Sequence, residues 1–326
     1  MIPLRDTISS KNYPVVNNTI IGTNIVVYLV QLAQGSNLYN FTYLYGLVPA
    51  RYSVPEIAYY FSTSEQVFPF ISFMFLHGGF LHILGNMWTL YIFGDNVEDR
   101  LGPVRYLAFY LICGLSSGLT HLYFNYYSDY PTIGASGAIA GVMGAYFILY
   151  PGSKILTLIP IIIIPWIVEI SAFFFLAFWF FLQFLNAAGS NGQAGGIAWW
   201  AHIGGFLFGM LWLKIFTIIP ETGISRAVRG ITEKKKSNRL QIIRPVVSAK
   251  DSNLYGTIQI SGYEALSGTQ KIISLSTGLR KKLYKVVVPP GLSEGSILRL
   301  KGLGQETKDG PKGDLLLKMA INTQTK

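Results

Sequence analysis

The sequence predicts an all-α polytopic membrane protein, a six-transmembrane-helix bundle, followed by a small, mostly-β cytoplasmic domain. Three observations carry that expectation. Of 326 residues, 51% are hydrophobic and 13% charged, against about 25% charged in a soluble domain, and the mean hydropathy is +0.39. Six apolar stretches of roughly bilayer length, about 20 residues, lie between residues 15 and 218. The chain then changes character after Pro220. Residues 1–218 hold 7 Lys and Arg against 8 Asp and Glu, a net −1, whereas 219–326 hold 19 against 8, a net +11. The expected division is a membrane domain over 1–218, a basic linker over 219–250 and a β domain over 251–326.

The first span, near 15–34, is interrupted by Asn17, Asn18, Asn24 and Gln31. It lacks the compact apolar core and small-residue cleavage site of a signal peptide. The second, near 68–93, contains the run from His77 to Asn86. His82 and Asn86 are four apart and share a helix face, and polar side chains in a membrane helix turn toward the bundle interior. The third, near 104–124, holds His121 and the one cysteine, Cys113, which excludes an intramolecular disulfide and supports no metal site.

The fourth span, near 135–150, is the stretch on which the rest is organised. Gly137, Gly141 and Gly144 recur at helical spacing, leaving one face nearly bare for close packing by another helix. At 1.5 Å per residue it covers about 24 Å of a hydrocarbon core of about 30 Å. Its outer end, with Ser136, is therefore expected below the membrane surface, and residues 129–133 must dip inward to reach it. Irregular backbone at that depth is tolerated only inside protein or a watery cavity.

The fifth span, near 166–185, has Glu169 toward its cytoplasmic end, read as interfacial. The polar, glycine-rich connection from Asn186 to Gly196 is expected to hang over the outer side as a lid. The sixth, near 199–218, opens with Trp199, Trp200, Ala201 and His202 and carries a G-x-x-x-G pair, Gly205 and Gly209. Docking of the small faces of spans four and six brings Ser136 beside His202 at matched depth.

Basic residues set the orientation. Arg5 and Lys11, Arg100 and Arg105, Lys154, and then Arg226, Arg229 and Lys234–Lys236 fall on one side, while the opposite loops hold only Arg51. Both termini are therefore expected in the cytoplasm and the protein in the cell membrane. The basic tail is read as obeying the same topology rule rather than as binding nucleic acid.

Chemistry follows from the polar residues at the outer span ends. A serine hydroxyl becomes nucleophilic when a neutral histidine takes its proton, and the resulting oxyanion needs donors aimed at it. Ser136 and His202 supply nucleophile and base, and the Ser136 N–H, the His82 ring and the Asn86 amide supply donors. With no acid near His202, the arrangement is a dyad whose histidine is held by packing. Taken singly, each residue has a structural reading: Ser136 as a packing residue, the histidines and Asn86 as interhelical hydrogen-bond partners. Glu98 and Arg100 are read as tying a loop to helix ends. No cofactor or metal is expected.

These residues resemble the rhomboid family of intramembrane serine proteases over roughly residues 15–218. The resemblance rests on the run His77–Asn86, on Gly94–Gly102, on the G-A-S-G of Gly134–Gly137 and on the A-H-I-G-G of Ala201–Gly205. It implies Ser136 as nucleophile, His202 as base, His82 and Asn86 in the oxyanion hole, and Gly134, Gly137 and Gly205 as structural support. It also implies cleavage of single-span membrane proteins within or beside the bilayer. Two departures stand out. Ala140 occupies the position where some members stack a tyrosine on the base, and the first loop has no Trp-Arg pair.

In the tail, alternating segments at 257–260, 271–277, 283–288, 297–301 and 314–321 are separated by turn signals at Pro289-Pro290-Gly291 and Lys308–Pro311, the pattern of a small β domain. Residues ~250–326 resemble the C-terminal β module of DnaJ-type co-chaperones, on Tyr263–Thr269, Val288–Gly304 and Lys312–Leu316. With no J-domain and no zinc-binding cysteines, full co-chaperone activity does not follow. Two readings of the domain stand: it binds a peptide or protein client or self-associates, or it is an inert appendage. Partners of the whole chain are then the lipid bilayer and transmembrane-helix substrates. The rival reading is a catalytically inactive relative that binds membrane clients. A channel or transporter would need paired charges through the bundle, and none are evident.

Overall fold

The computed structural model describes residues 1–8, 10–161, 164–189, 196–221, 223–232, 240–247, 252–277, 280–305 and 312–322. The chain forms two units, Met1–Lys234 and Lys235–Lys326. The first is a multi-pass membrane bundle and the second a β sandwich.

The bundle contains α1 (Val15–Leu32), α2 (Phe80–Leu101), α3 (Pro103–Phe124), α4 (Ser136–Leu149), α5 (Ala172–Gly189) and α6 (Trp199–Ile218). Among the described residues, α1, α3, α5 and α6 are long and apolar enough to cross a membrane. The helical segment Thr63–Phe75 together with α2 makes a fifth candidate, bent by 76°. At 14 residues, α4 is about 21 Å long, and it is the buried axis of the unit. Every residue from Gly137 to Tyr146 is buried. Its glycines let α6 approach backbone to backbone. A methyl on Gly205 would come to 2.0 Å of the Gly137 carbonyl oxygen, one on Gly209 to 2.2 Å of the Gly141 oxygen, and one on Gly144 to 2.2 Å of the Phe206 oxygen.

The polar residues that interrupt α1 hold it in place. Asn17, Asn24 and Gln31, spaced by seven, are all buried. Asn17 Nδ2 donates to the Leu90 carbonyl at 3.1 Å, and its Oδ1 accepts from the Tyr106 hydroxyl at 2.7 Å. The first-turn amides of Val16 and Asn17 donate to the Glu98 carboxylate at 3.1 and 2.7 Å. A helix that starts without a side-chain cap of its own thus takes an anion from another helix at its positive end.

Three expected boundaries are corrected. The second span does not run straight over 68–93. The chain breaks at His77-Gly78-Gly79 and α2 extends to Leu101. Glu98 and Arg100 therefore lie within the last turn of α2, where Glu98 is bonded to the start of α1. The fifth span begins at Ala172, not 166. The residues before it form a hairpin of β2 (Lys154–Ile161) and β3 (Ile164–Ser171), and β1 (Ile2–Asp6) pairs antiparallel with β2. The β-branched run favours strand over helix. Glu169 accordingly lies on β3, 3.4 Å from Lys154 across the hairpin. Residues 219–250, read as a linker, carry α7 (Gly223–Thr232) in the first unit and two strands in the second. Arg229 on α7 donates to the Arg100 carbonyl at 3.0 Å. The lid expected over 186–196 splits: its first residues are the last turn of α5, and 190–195 lie outside the described residues, as do Lys234–Lys236.

The segment between α1 and α2 is organised by Arg51, whose side chain is fully buried. Its Nη1 donates to the Leu44 carbonyl at 3.0 Å, and its guanidinium sits 4.0 Å from the Phe61 ring centroid. A buried cation there needs such partners.

In the second unit, β4 (Leu240–Ile243), β7 (Thr269–Thr277) and β8 (Arg280–Val288) form one sheet. The other, in the order β5-β6-β10-β9, contains β5 (Val246–Val247), β6 (Leu254–Ser261), β9 (Ile297–Leu300) and β10 (Leu315–Asn322). Ile258, Ile273, Val286, Leu315, Leu317 and Met319 fill the space between. The short helix α8 (Gly262–Ser267) follows β6 and starts with a capping box of Ser261 and Glu264.

Candidate active site

The site is built at the start of α4. Residues 128–134 reach it as irregular chain, and protein satisfies their backbone. Thr132 and Leu47 exchange N–H to carbonyl bonds at 2.8 and 3.0 Å, Ala50 N–H donates to Ser128 at 2.9 Å, and Gly134 N–H to Phe73 at 2.8 Å. Gly134 has φ +125°, and a Cβ there would lie 2.8 Å from His82 Nε2. Conformation and space both demand glycine at that position. The helix then begins with Ser136, so its first amides have no intrahelical acceptor, and the positive end of the helix dipole faces the serine.

Packing of α4 on α6 brings the Ser136 Oγ within 2.8 Å of His202 Nε2. Ser136 is half-buried and His202 is 8% exposed. The histidine is held on all sides. Trp179 and Trp199 place their rings 6.0 Å from it, the second edge-on at 86°. Its Nδ1 lies 2.8 Å from Gln183 Oε1.

His82 and Asn86 lie on the first two turns of α2, four residues apart and so on one helix face. The Gly78 N–H donates to His82 Nδ1 at 3.2 Å, so Nδ1 is the lone-pair nitrogen and Nε2, the one facing Gly134, carries the hydrogen. The Asn86 Nδ2 is buried with no hydrogen-bond partner among the described residues. An unmade donor of this kind calls for an explanation. His82 Nε2–H and the first amides of α4 thus lie near the Ser136 hydroxyl: the Cβ position on Gly134 is 2.8 Å from His82 Nε2 and 3.6 Å from Ser136 Oγ.

The structure thus brings together Ser136, His202 and His82, with Gly134 beside His82 and Gly137 and Gly205 at the α4–α6 contact, while Asn86 lies one turn beyond His82 on α2. Ala140 is fully buried. His121 is buried, with Asn125 Nδ2 at 3.3 Å from its Nδ1. His77 packs its ring 5.1 Å from that of His82. Among the described residues, no group of three or more His, Cys, Asp or Glu side chains gathers as a metal site would require.

Sequence reasoning missed Gln183. The signal was present: it is the first polar side chain after eleven apolar residues of α5, and an isolated amide in such a helix turns inward for a partner.

Comparison with known proteins agrees in extent with this architecture. Residues 64–218 match the family model described as the rhomboid domain, and residues 241–325 that of the DnaJ C terminal domain. The chain is 28% identical over 227 residues to "Rhomboid protein 1, mitochondrial" of Saccharomyces cerevisiae, covering 68% of this chain and 56% of that protein. It is 32% identical over 156 residues to "RHOMBOID-like protein 6, mitochondrial" of Arabidopsis thaliana, covering 47% and 45%. It is 40% identical over 70 residues to "Rhomboid protease GluP" of Bacillus subtilis, covering 22% and 13%. The matched stretch thus spans about half the length of these relatives or less.

Proposed function

We propose that this chain, whose residues 64–218 form a rhomboid-family domain and whose residues 241–325 form a DnaJ C-terminal domain, is an intramembrane serine endopeptidase. It acts on single-span membrane proteins within or near the bilayer. The six helices α1–α6 are its six spans, both ends of the chain face the cytoplasm, and the cell membrane is its site. The observation that carries the reading is the 2.8 Å contact of Ser136 Oγ with His202 Nε2, set beside an unpartnered buried amide, Asn86 Nδ2.

The reaction follows from that geometry. A substrate helix first unwinds locally, because helical carbonyls are already hydrogen-bonded. Ser136 Oγ then attacks the scissile carbonyl carbon while His202 Nε2 takes its proton. The carbonyl oxygen becomes an oxyanion that accepts from the Ser136 N–H, His82 Nε2–H and Asn86 Nδ2–H. His202 returns the proton to the leaving amine, and water then hydrolyses the acyl-serine by the same two residues in reverse roles. The tail domain is proposed to bind a peptide or protein client.

The test uses the full chain in liposomes with a single-span substrate carrying a helix-breaking segment. Wild type is expected to cleave it, and Ser136→Ala and His202→Ala to lose cleavage. Cleavage surviving Ser136→Ala would overturn the mechanism. Absence of cleavage by folded wild type that still binds the substrate would favour a client-binding relative.

A further inference from the structure

We infer that Gln183 is a positioning residue for His202, the third member of a directed hydrogen-bond chain that sets which nitrogen of the imidazole faces the serine. The inference deepens the protease reading and rests on it for its catalytic consequence, but not for its structural core.

The direction of the chain is settled at its far end by a group that only accepts. Gln183 Nε2 lies 3.1 Å from the Trp179 carbonyl oxygen, one turn back on α5. A carbonyl has no hydrogen to give, so the amide nitrogen must be the atom that faces it. Rotating the amide by 180° would set oxygen against oxygen. The Gln183 Oε1 is thereby turned to His202, 2.8 Å from Nδ1. An amide oxygen also only accepts, so His202 Nδ1 must carry the hydrogen. In neutral imidazole the other nitrogen then holds the lone pair, and that nitrogen, Nε2, is 2.8 Å from Ser136 Oγ. Read from the serine, each hydrogen bond points the same way: Ser136 hydroxyl to His202, His202 to Gln183, Gln183 to Trp179.

Burial makes this more than a convenience. Gln183 is 6% exposed and His202 8%, so bulk water does not compete for Nδ1. Without Gln183, nothing among the described hydrogen bonds holds the hydrogen on Nδ1. The opposite tautomer would present an N–H to Ser136 and could not take its proton. The tryptophan rings at 6.0 Å restrict the tilt of the imidazole but do not choose between its nitrogens. The amide is a weaker orienting group than a carboxylate, since it brings no charge to meet the imidazolium. Its special property is that it sits on α5 while the nucleophile and base sit on α4 and α6. The base is set only when three helices are seated together.

The experiment compares Gln183→Leu, which keeps the bulk and removes the acceptor, with Gln183→Glu, which keeps an oxygen at the same reach. Three readouts are taken on the full chain in detergent: cleavage kinetics, the rate at which a fluorophosphonate labels Ser136, and ring 15N NMR of the histidines. The His202 signals are identified by their loss in His202→Ala. In wild type the spectrum is expected to show hydrogen on Nδ1. Gln183→Leu is expected to mix the tautomers and to lower kcat and labelling rate together by roughly 10- to 100-fold, the scale of a buried hydrogen bond lost. KM stays within about twofold, because this contact does not touch substrate. Gln183→Glu is expected to recover most of the loss.

An unchanged tautomer and labelling rate in Gln183→Leu would overturn the inference. So would a loss that Gln183→Glu fails to relieve while the tautomer stays as in wild type, which is the mark of a merely structural residue. If wild type neither cleaves nor labels, the protease reading fails, and the NMR tautomer alone decides whether Gln183 sets His202.

Discussion

Gln31, at the end of α1, exchanges two hydrogen bonds with the backbone of His77. Its Oε1 accepts from the His77 N–H at 2.9 Å and its Nε2 donates to the His77 carbonyl at 3.3 Å. A side-chain amide here imitates a strand neighbour, and it does so at the break that lets α2 begin at Phe80. The position of His82 and Asn86 therefore depends on a helix that contributes nothing to the chemistry.

Gln31→Leu should consequently cost about 1–3 kcal/mol, the penalty for two buried backbone groups left unpaired. It should also slow fluorophosphonate labelling of Ser136. Thermal unfolding in detergent measures the first effect and labelling the second. An unchanged melting temperature would show that the pair contributes nothing to stability.

Glu98 holds the other end of α1. Glu98→Ala removes both acceptors of the Val16 and Asn17 amides and is expected to destabilise the bundle by about 1–2 kcal/mol, as lost helix caps do. Glu98→Gln keeps one oxygen and should recover part of this. Equal melting temperatures for the two variants would mean that burial of the residue, not its acceptors, matters.

The α4–α6 contact leaves no slack. Gly205→Ala places a methyl 2.0 Å from the Gly137 oxygen and 3.3 Å from the Ala140 Cβ, so the helices must part and Ser136 must leave His202. Overpacking of this kind costs about 1–3 kcal/mol or more, and loss of labelling is expected even where folded protein is recovered. Ala140→Tyr meets the same wall. Although some rhomboids carry a tyrosine there, it should lower activity here, since His202 already has Trp179, Trp199 and Gln183 around it. Higher cleavage by Ala140→Tyr would refute this account.

In the tail domain, Lys271 Nζ lies 2.5 Å from Glu264 Oε1 and is almost fully buried. Burial alone would push the Glu264 carboxyl up. The Lys271 hydrogen bond and charge, with the Ser261 contacts, outweigh it and hold the group below the usual carboxylate range. A lowered value in the folded state means that the pair's stabilisation is fully present above the ordinary value near 4.5 and is lost as pH falls through the lowered one. Hydrogen exchange of peptides covering 261–275 should accelerate over that acid range in wild type and much less in Glu264→Gln. Parallel pH profiles would remove Glu264 as the cause.

The elements most legible in the sequence were those whose signals are local. Gly137, Gly141, Gly144, Gly205 and Gly209 announce close packing by spacing alone, and the alternation of the tail marks its strands. What was not legible depends on partners far away in sequence. Asn17 and Gln31 weaken the first span on any hydropathy count, because their partners at Leu90, Tyr106 and His77 are invisible locally. Glu98 looked like a residue outside the membrane because a buried carboxylate is expected only where something neutralises it, and that something is the start of α1. Residues 166–171 passed for the start of a span because an apolar β-branched run does not declare its period. Gln183 was passed over because the search for an orienting group looked for an acid.

The three-stranded sheet also sets an order in time. Ile2 pairs with Leu158 and Asp6 with Ile155, so β1 is made well before the strand that it pairs with. At about 5–20 residues per second, roughly 8–30 s of translation separate β1 from its partner strand. During that wait α1–α4 must all be made while the five residues of β1 keep an open strand edge. Assembly is thus exposed through β1, and a factor or tag that captures residues 2–6 early would be felt in β2, just beyond α4.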